Sequence, residues 1–144
     1  MKREALRKQL SVVALLLLLT PLTELQARTS SWLRGTWAGA GYQTDTESTW
    51  PMTLTVRNGP RRRLYLVDYP SLKCGGRWKP LGTGKRRATF TEVLTHGQAD
   101  CLDNGRVIIQ RISSTQLLYL YSNQGSKKIT ASAILNRRRM AANN

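Results

Sequence analysis

From Arg34 to Arg137 the chain alternates. Apolar side chains recur at every second position in short runs: Met52-Leu54-Val56, Leu64-Leu66, Leu118-Leu120 and Ile129-Ala131-Ala133-Leu135. A period of two puts successive side chains on opposite faces of an extended backbone, so each run buries one face and wets the other. The 3.6-residue period of an amphipathic helix is missing from this region. Turn residues punctuate the runs at Asn58-Gly59-Pro60, Gly82-Thr83-Gly84 and Asn123-Gln124-Gly125. The pattern predicts eight strands, at 34–42, 49–57, 63–69, 77–81, 88–95, 106–112, 116–121 and 129–137. Eight short strands at regular spacing point to an all-β fold, an eight-stranded antiparallel up-and-down barrel. The interior of such a barrel is just wide enough for packed side chains or one small ligand.

The segment ahead of these strands has a different character. Lys2, Arg3, Arg7 and Lys8 precede an apolar run from Leu10 to Leu22, broken by Pro21, and Leu25-Gln26-Ala27 ends on a small residue. A charged start, a short apolar stretch and a small residue at the cut describe a secretory signal peptide over residues 1–27. The run falls short of the about 20 apolar residues that a membrane span needs. The barrel domain is then 28–139, with 140–144 a disordered tail, and the product is exported, either periplasmic or secreted. Cys74 and Cys101 both lie in the exported part. An even count in an oxidising compartment predicts one disulfide, worth about 3–4 kcal/mol for a loop of this length.

Charge supplies a second layer. Loss of residues 1–27 removes four basic and two acidic side chains and takes the net charge from +15 to +13. That balance favours anionic partners such as a membrane surface, lipopolysaccharide, nucleic acid or an acidic protein. An up-and-down order also sorts the charges by end. Arg61-Arg62-Arg63, Lys85-Arg86-Arg87 and Arg137-Arg138-Arg139 fall at the bottom, where the first strand starts. Asp45, Glu47, Asp68, Asp100 and Asp103 fall at or near the top, and both cysteines lie in top links, within reach of each other. Arginine forks onto phosphate, so the basic pole is a candidate contact for an anionic envelope component. Solvated turns are the competing explanation of the same residues.

Gly35-Thr36-Trp37 in the first strand, with Arg137 ending the last, resembles the G-x-W motif and late arginine of the calycins, the superfamily of lipocalins and avidins. The resemblance implies a barrel whose Trp37 closes the bottom and whose Arg137 packs across it. It implies no ligand, and the second lipocalin motif is missing, since Asp68-Tyr69 sits in the third strand. Tyr69-Pro70-Ser71-Leu72-Lys73-Cys74-Gly75-Gly76 resembles a fingerprint of small exported bacterial proteins, to which no function attaches.

Catalytic signals are poor. His96 is the single histidine, and two bridged cysteines leave no metal set. Asp100 and Asp103 flank Cys101 without the partners of an acid–base site. Gly82-Thr83-Gly84-Lys85 lacks the spacing of a phosphate loop, and Ser71 lies outside any nucleophile elbow. The reading is a non-catalytic binding protein with no cofactor and no metal, expected to be monomeric. The loops 39–50 and 69–76 would rim its open end, with Tyr42, Trp50, Tyr69 and Trp78 as candidate contacts to a small ligand. A filled core is the competing role for Trp50 and Trp78, and the favoured one for Trp37. An inhibitor of a lysozyme-like or other hydrolase is an alternative, provided that the acidic top meets a basic target. A nucleic-acid binder is another alternative, favoured by charge and opposed by export and by the lack of a basic–aromatic motif.

Overall fold

A computed structural model describes residues 31–139. The signal-peptide segment 1–27 and the tail 140–144 lie outside the described residues. A 3-10 turn (Ser31–Leu33) leads into β1 (Gly35–Gln43), β2 (Ser48–Asn58) and β3 (Arg63–Tyr69). A second 3-10 turn (Pro70–Leu72) precedes β4 (Cys74–Thr83), then β5 (Arg87–His96), β6 (Arg106–Arg111), β7 (Gln116–Ser122) and β8 (Ala131–Arg137). Each strand pairs antiparallel with the next, and β1 also pairs with β8, so the eight strands form a closed up-and-down barrel. Closure leaves no sheet edge to pair with another chain.

Most strand boundaries agree with the sequence reading to within one residue; both ends of β4 and the start of β8 differ by two or three. β4 begins at Cys74, not at 77, because Gly75 and Gly76 continue the pairing with β3 and β5. Glycine is depleted from strands and reads as turn. Here the pair sits at a register shift between Gly75 and Gly76, the irregularity at which strand glycines are common. Cys74 is therefore a strand residue rather than part of the link between the third and fourth strands. β8 begins at Ala131, not at 129. Just before it, the Thr130 N–H donates to Tyr121 and the Thr130 carbonyl accepts from Thr44, so the chain crosses between two neighbours before settling into the ladder.

The links divide between two ends. Links 59–62, 84–86 and 112–115 share one end with the start of β1, and links 44–47, 70–73, 97–105 and 123–130 share the other. The first end is sealed. Trp37 is fully buried, and its indole N–H donates to the Leu33 carbonyl at 2.7 Å. The Arg137 guanidinium lies 4.0 Å from the centre of the Trp37 ring. It also donates to the carbonyls of Arg34 (2.6 Å), Ser114 (3.1 Å) and Trp32 (3.2 Å). One side chain thus ties the entry turn, the β6–β7 link and the last strand over one aromatic face. The turn Ser31–Leu33, of which the alternation gives no sign, buries Trp32 and Leu33 and is pinned by the Trp32 N–H on the Gly84 carbonyl at 2.9 Å. Above it Leu54, Phe90, Ile109, Leu117 and Leu135 are fully buried.

Replacing Arg137 by Ala removes a cation–π contact and three charge-assisted hydrogen bonds that share one planar fork. Arg137→Ala is expected to lower unfolding stability by about 2–4 kcal/mol. Arg137→Lys should recover less than half of that, because a single ammonium cannot reproduce the fork. Urea denaturation of the three proteins measures both values.

Candidate functional site: an aromatic pocket with a buried carboxylate

The lower half of the barrel is packed, and the upper half is not. A cavity of about 250 Å³ opens at the end opposite Trp37. Its wall is set by strand parity. Trp50 shares the inward face of β2 with Met52, Leu54 and Val56, and Tyr69 shares that of β3 with Tyr65 and Val67. Tyr119 and Tyr121 continue the inward face of β7 beyond Leu117. β1 and β8 supply small residues opposite. At Gly41 a Cβ would lie 2.3 Å from the Trp50 ring, so the indole rests directly on the β1 backbone. At Gly105 a Cβ would lie 2.0 Å from the Tyr121 ring, which fixes the opposite wall in the same way.

Glu92 stands among these rings. It continues the inward series Ala88, Phe90, Glu92, Leu94 of β5 and is 3% exposed. Its Oε2 accepts the Tyr69 hydroxyl at 2.6 Å and the Trp78 indole N–H at 2.7 Å. Trp78 stacks on Tyr119 at 5.8 Å, and Trp50 meets Tyr69 edge-on at 5.2 Å. Ser122 is the other buried polar residue of the described chain, so no buried cation compensates the carboxylate. Burial raises the pKa of Glu92, the bonds from Tyr69 and Trp78 oppose that rise, and the charge of Asp103 adds to it. Burial likewise holds the Tyr69 and Tyr119 hydroxyls well above the ordinary phenol range, and that of Tyr121 is pushed up to about 12. A further polar atom is uncompensated: the buried Trp50 Nε1 has no hydrogen-bond partner among the described residues.

The link 97–105 forms part of the mouth, contributing Asp100, Cys101 and Leu102 to the cavity lining. The Cys74–Cys101 disulfide ties it to β4, with the two Cα atoms 6.4 Å apart. Asp103 fastens it further, because its Oδ1 accepts the backbone N–H groups of Leu94 (2.9 Å) and Asn104 (2.7 Å). The Tyr121 hydroxyl donates to the Leu102 carbonyl at 3.3 Å.

Of the four aromatics assigned to the rim loops, Trp50 and Tyr69 line the cavity from strand positions within the barrel. Trp78 is buried and does not line the cavity; it meets the lining through its bond to Glu92 and its stack on Tyr119. Tyr42 lies on the outer face and is 42% exposed, because Gly41 takes the inward position of β1. Glu92, Tyr119, Tyr121 and the 97–105 link were missing from the sequence reading. Glu92 had a signal, since it occupies an inward position between Phe90 and Leu94. His96 sits exposed at the open end, 3.7 Å from Asp68. Among the described residues no group of three His, Cys, Asp or Glu is placed to hold a metal ion.

The sealed end carries the nine basic residues grouped from the sequence. Arg61 and Arg62 lie in the β2–β3 link, Arg63 opens β3, Lys85 and Arg86 lie in the β4–β5 link, and Arg87 opens β5. Arg137 closes β8, and Arg138 and Arg139 follow it. Arg34, Arg57 and Arg111 join them, and no described acidic residue lies at this end. A groove of about 670 Å³ runs between Arg61, Arg62, Arg63, Pro80 and Leu81. Leu81 is 64% exposed and Ile112, at the same end, 45%.

No protein-family model matches the chain, and no curated protein matches it. Among solved structures the fold is similar to that of EF1p2_mFAP2b bound to DFHBI, at 17% identity and a TM-score of 0.51, over 78% of this chain and 99% of that one. It is also similar to a redesigned β-barrel, b11L5F_LGL, at 15% identity and a TM-score of 0.46, over 78% and 96% of the two chains. At these identities the likeness is one of fold.

A buried carboxyl with a raised pKa holds its proton more tightly folded than unfolded. Its contribution to stability is therefore full below the unfolded value of about 4.3 and is lost as pH rises through the folded value. Glu92→Gln keeps an acceptor for Tyr69 and Trp78 but has no proton to lose. The mutant should gain on the wild type as pH rises from about 4 to 8, with Asp103, Tyr69, Tyr119 and Tyr121 unchanged around it. Glu92→Leu orphans two buried donors and should cost about 2–4 kcal/mol at a pH of about 4, and less as pH rises and the wild type loses the contribution of its own carboxyl. Urea midpoints across that pH range separate the three.

Proposed function

We propose that this chain is an exported, non-catalytic binding protein that holds a small molecule in the open half of its barrel. The observation that carries the reading is a buried carboxylate and an unpartnered indole N–H on the wall of one open, aromatic-lined cavity. Buried polar groups without partners cost stability, and a ligand that matches them restores it. The cavity is smaller than the about 300–1,000 Å³ of drug-sized sites, so the ligand is compact. A barrel of the same fold is bound to DFHBI in EF1p2_mFAP2b, and that likeness extends to the fold alone. Export is supported by the pattern of residues 1–27 and by the disulfide. Native mass spectrometry of the purified protein, before and after mild denaturation, is the test. A stoichiometric small molecule released on unfolding is expected. A bare mass from every preparation, with no change in tryptophan emission across a library of compact ligands, would sink the reading.

The sealed end favours a second contact, with an anionic membrane surface. Exposed Leu81 and Ile112 stand among cations with no acidic neighbour at that end, which combines a shallow apolar insertion with headgroup attraction. Sedimentation with phosphatidylglycerol-rich vesicles should retain the protein at low salt and release it at high salt. Arg61→Glu with Arg62→Glu should reduce the retained fraction several-fold. Equal binding to neutral phosphatidylcholine vesicles would overturn this contact.

A further inference from the structure

We infer that the open-end pocket takes a small organic cation, an ammonium that carries an acceptor oxygen nearby, with Glu92 as its counter-charge. The inference rests on the ligand-binding reading and narrows it to a chemical class.

Charge placement is the first ground. The chain has 23 Lys and Arg against 8 Asp and Glu, yet none of the described basic residues lines the pocket, whose charged members are Glu92 and Asp100. An anionic ligand would face both carboxylates without a cation to meet it. A purely apolar ligand would leave Glu92 without a counter-charge, so that it either keeps its proton or ionises at a desolvation cost.

The walls give the second ground. Trp50 stands perpendicular to Tyr69 (90°, 5.2 Å) and nearly so to Tyr119 (86°, 6.4 Å), so rings meet edge to face around one corner of the cavity. Tyr121 faces the same cavity. Ring faces carry negative quadrupole density, and several of them around a point hold an ammonium in preference to a neutral group of equal shape. Desolvation at the floor strengthens both this attraction and that of Glu92.

The third ground is independent of charge. Trp50 lines the pocket and its buried Nε1 has no partner. An indole N–H donates only, so the ligand that satisfies it presents an acceptor oxygen. Glu92 and Trp50 are both lining residues, and one compact molecule with an ammonium and an acceptor oxygen is complementary to the pair. The strong positive charge of the domain does not oppose entry. The triplets of arginine and lysine sit at the far end of strands of seven to eleven residues, roughly 20–30 Å away and beyond the about 8 Å screening length in physiological salt. At the mouth Asp45, Glu47, Asp68, Asp100 and Asp103 stand with Lys73, Arg106, Lys127 and Lys128, which leaves that end close to balanced.

The test uses the purified protein and two matched pairs of probes. Choline is compared with 3,3-dimethylbutan-1-ol, in which carbon replaces the charged nitrogen, and benzylamine with benzyl alcohol. Calorimetry and tryptophan emission, with Trp50 as reporter, measure affinity. The cationic member of each pair is expected to bind about tenfold tighter or more. Glu92→Gln should abolish that preference. Asp100→Asn, at the exposed mouth, should weaken it several-fold without moving the melting temperature, which keeps the test decisive if the Glu92 variant fails to fold. Equal or tighter binding of the neutral members would overturn the cation assignment and leave the ligand-binding reading standing. Failure of all four probes, together with a bare mass in the native spectrum, would overturn both.

Discussion

Closure of the sheet between β1 and β8 is the constraint from which the rest follows. Once Trp37 pairs with Arg137 and Gly41 with Ala133, every strand has two neighbours and every side chain is committed to the inside or the outside. A slip of one residue would turn Trp37 outward and Tyr42 inward. The Arg137 guanidinium resists such a slip, because its three carbonyl partners and the Trp37 ring coincide at one register only. Sealing that end by one cluster also frees the other end from having to be sealed. The cavity exists because the core is concentrated below it.

The interior contains a group that an optimised core would exclude. A leucine at position 92 would pack among Phe90, Trp78 and Tyr119 at no desolvation cost if its two donors were also replaced. The sequence instead places a carboxylate there and two donors to hold it, and surrounds the set with phenols whose own ionisation burial suppresses. Such an arrangement weakens the fold as pH rises, so stability alone does not account for a carboxylate at this position. The glycines make the same point in shape. Gly41 and Gly105 leave room for rings that face the cavity, where larger side chains would have filled it.

Much of the fold was legible from alternation, although in β3 and β7 the inward face belongs to Tyr65, Val67 and Tyr69 and to Leu117, Tyr119 and Tyr121, not to the Leu64-Leu66 and Leu118-Leu120 series. The eight strands and their order follow from where the turns fall, and the Cys74–Cys101 bridge from an even cysteine count. The sealing turn was not legible, since Trp32 and Leu33 form an isolated apolar pair with no period, and their burial depends on Gly84 and Arg137, which are distant in sequence. The pocket was half legible. Trp50 and Tyr69 stood out as aromatics, but reading Gly75 and Gly76 as turn shortened β4 and moved the apparent rim too deep, so Trp78 was assigned to the mouth. Glu92 was visible by parity between Phe90 and Leu94, and was passed over because charge is ordinarily read as surface. The role of the 97–105 link had no local signal, since its position is set by the disulfide and by Asp103.

The two ends differ in charge, one strongly basic and the other close to balanced, and the strand order makes them so. In an up-and-down barrel alternate links share an end, so a charge pattern that alternates link by link becomes a separation across the molecule. Arg61-Arg62-Arg63 and Lys85-Arg86-Arg87 fall at alternate turns, and Asp45, Asp68, Asp100 and Asp103 fall at or beside the turns between them. The resulting axis passes through the open pocket and the sealed basic face, and strands of this length keep the two fields separate once salt screens them. The phosphate-attracting face proposed above and a pocket whose charged members are carboxylates would interfere if they were adjacent. At opposite ends of one closed sheet they do not: on that proposal the sealed end would rest on an anionic surface while the mouth points away from it.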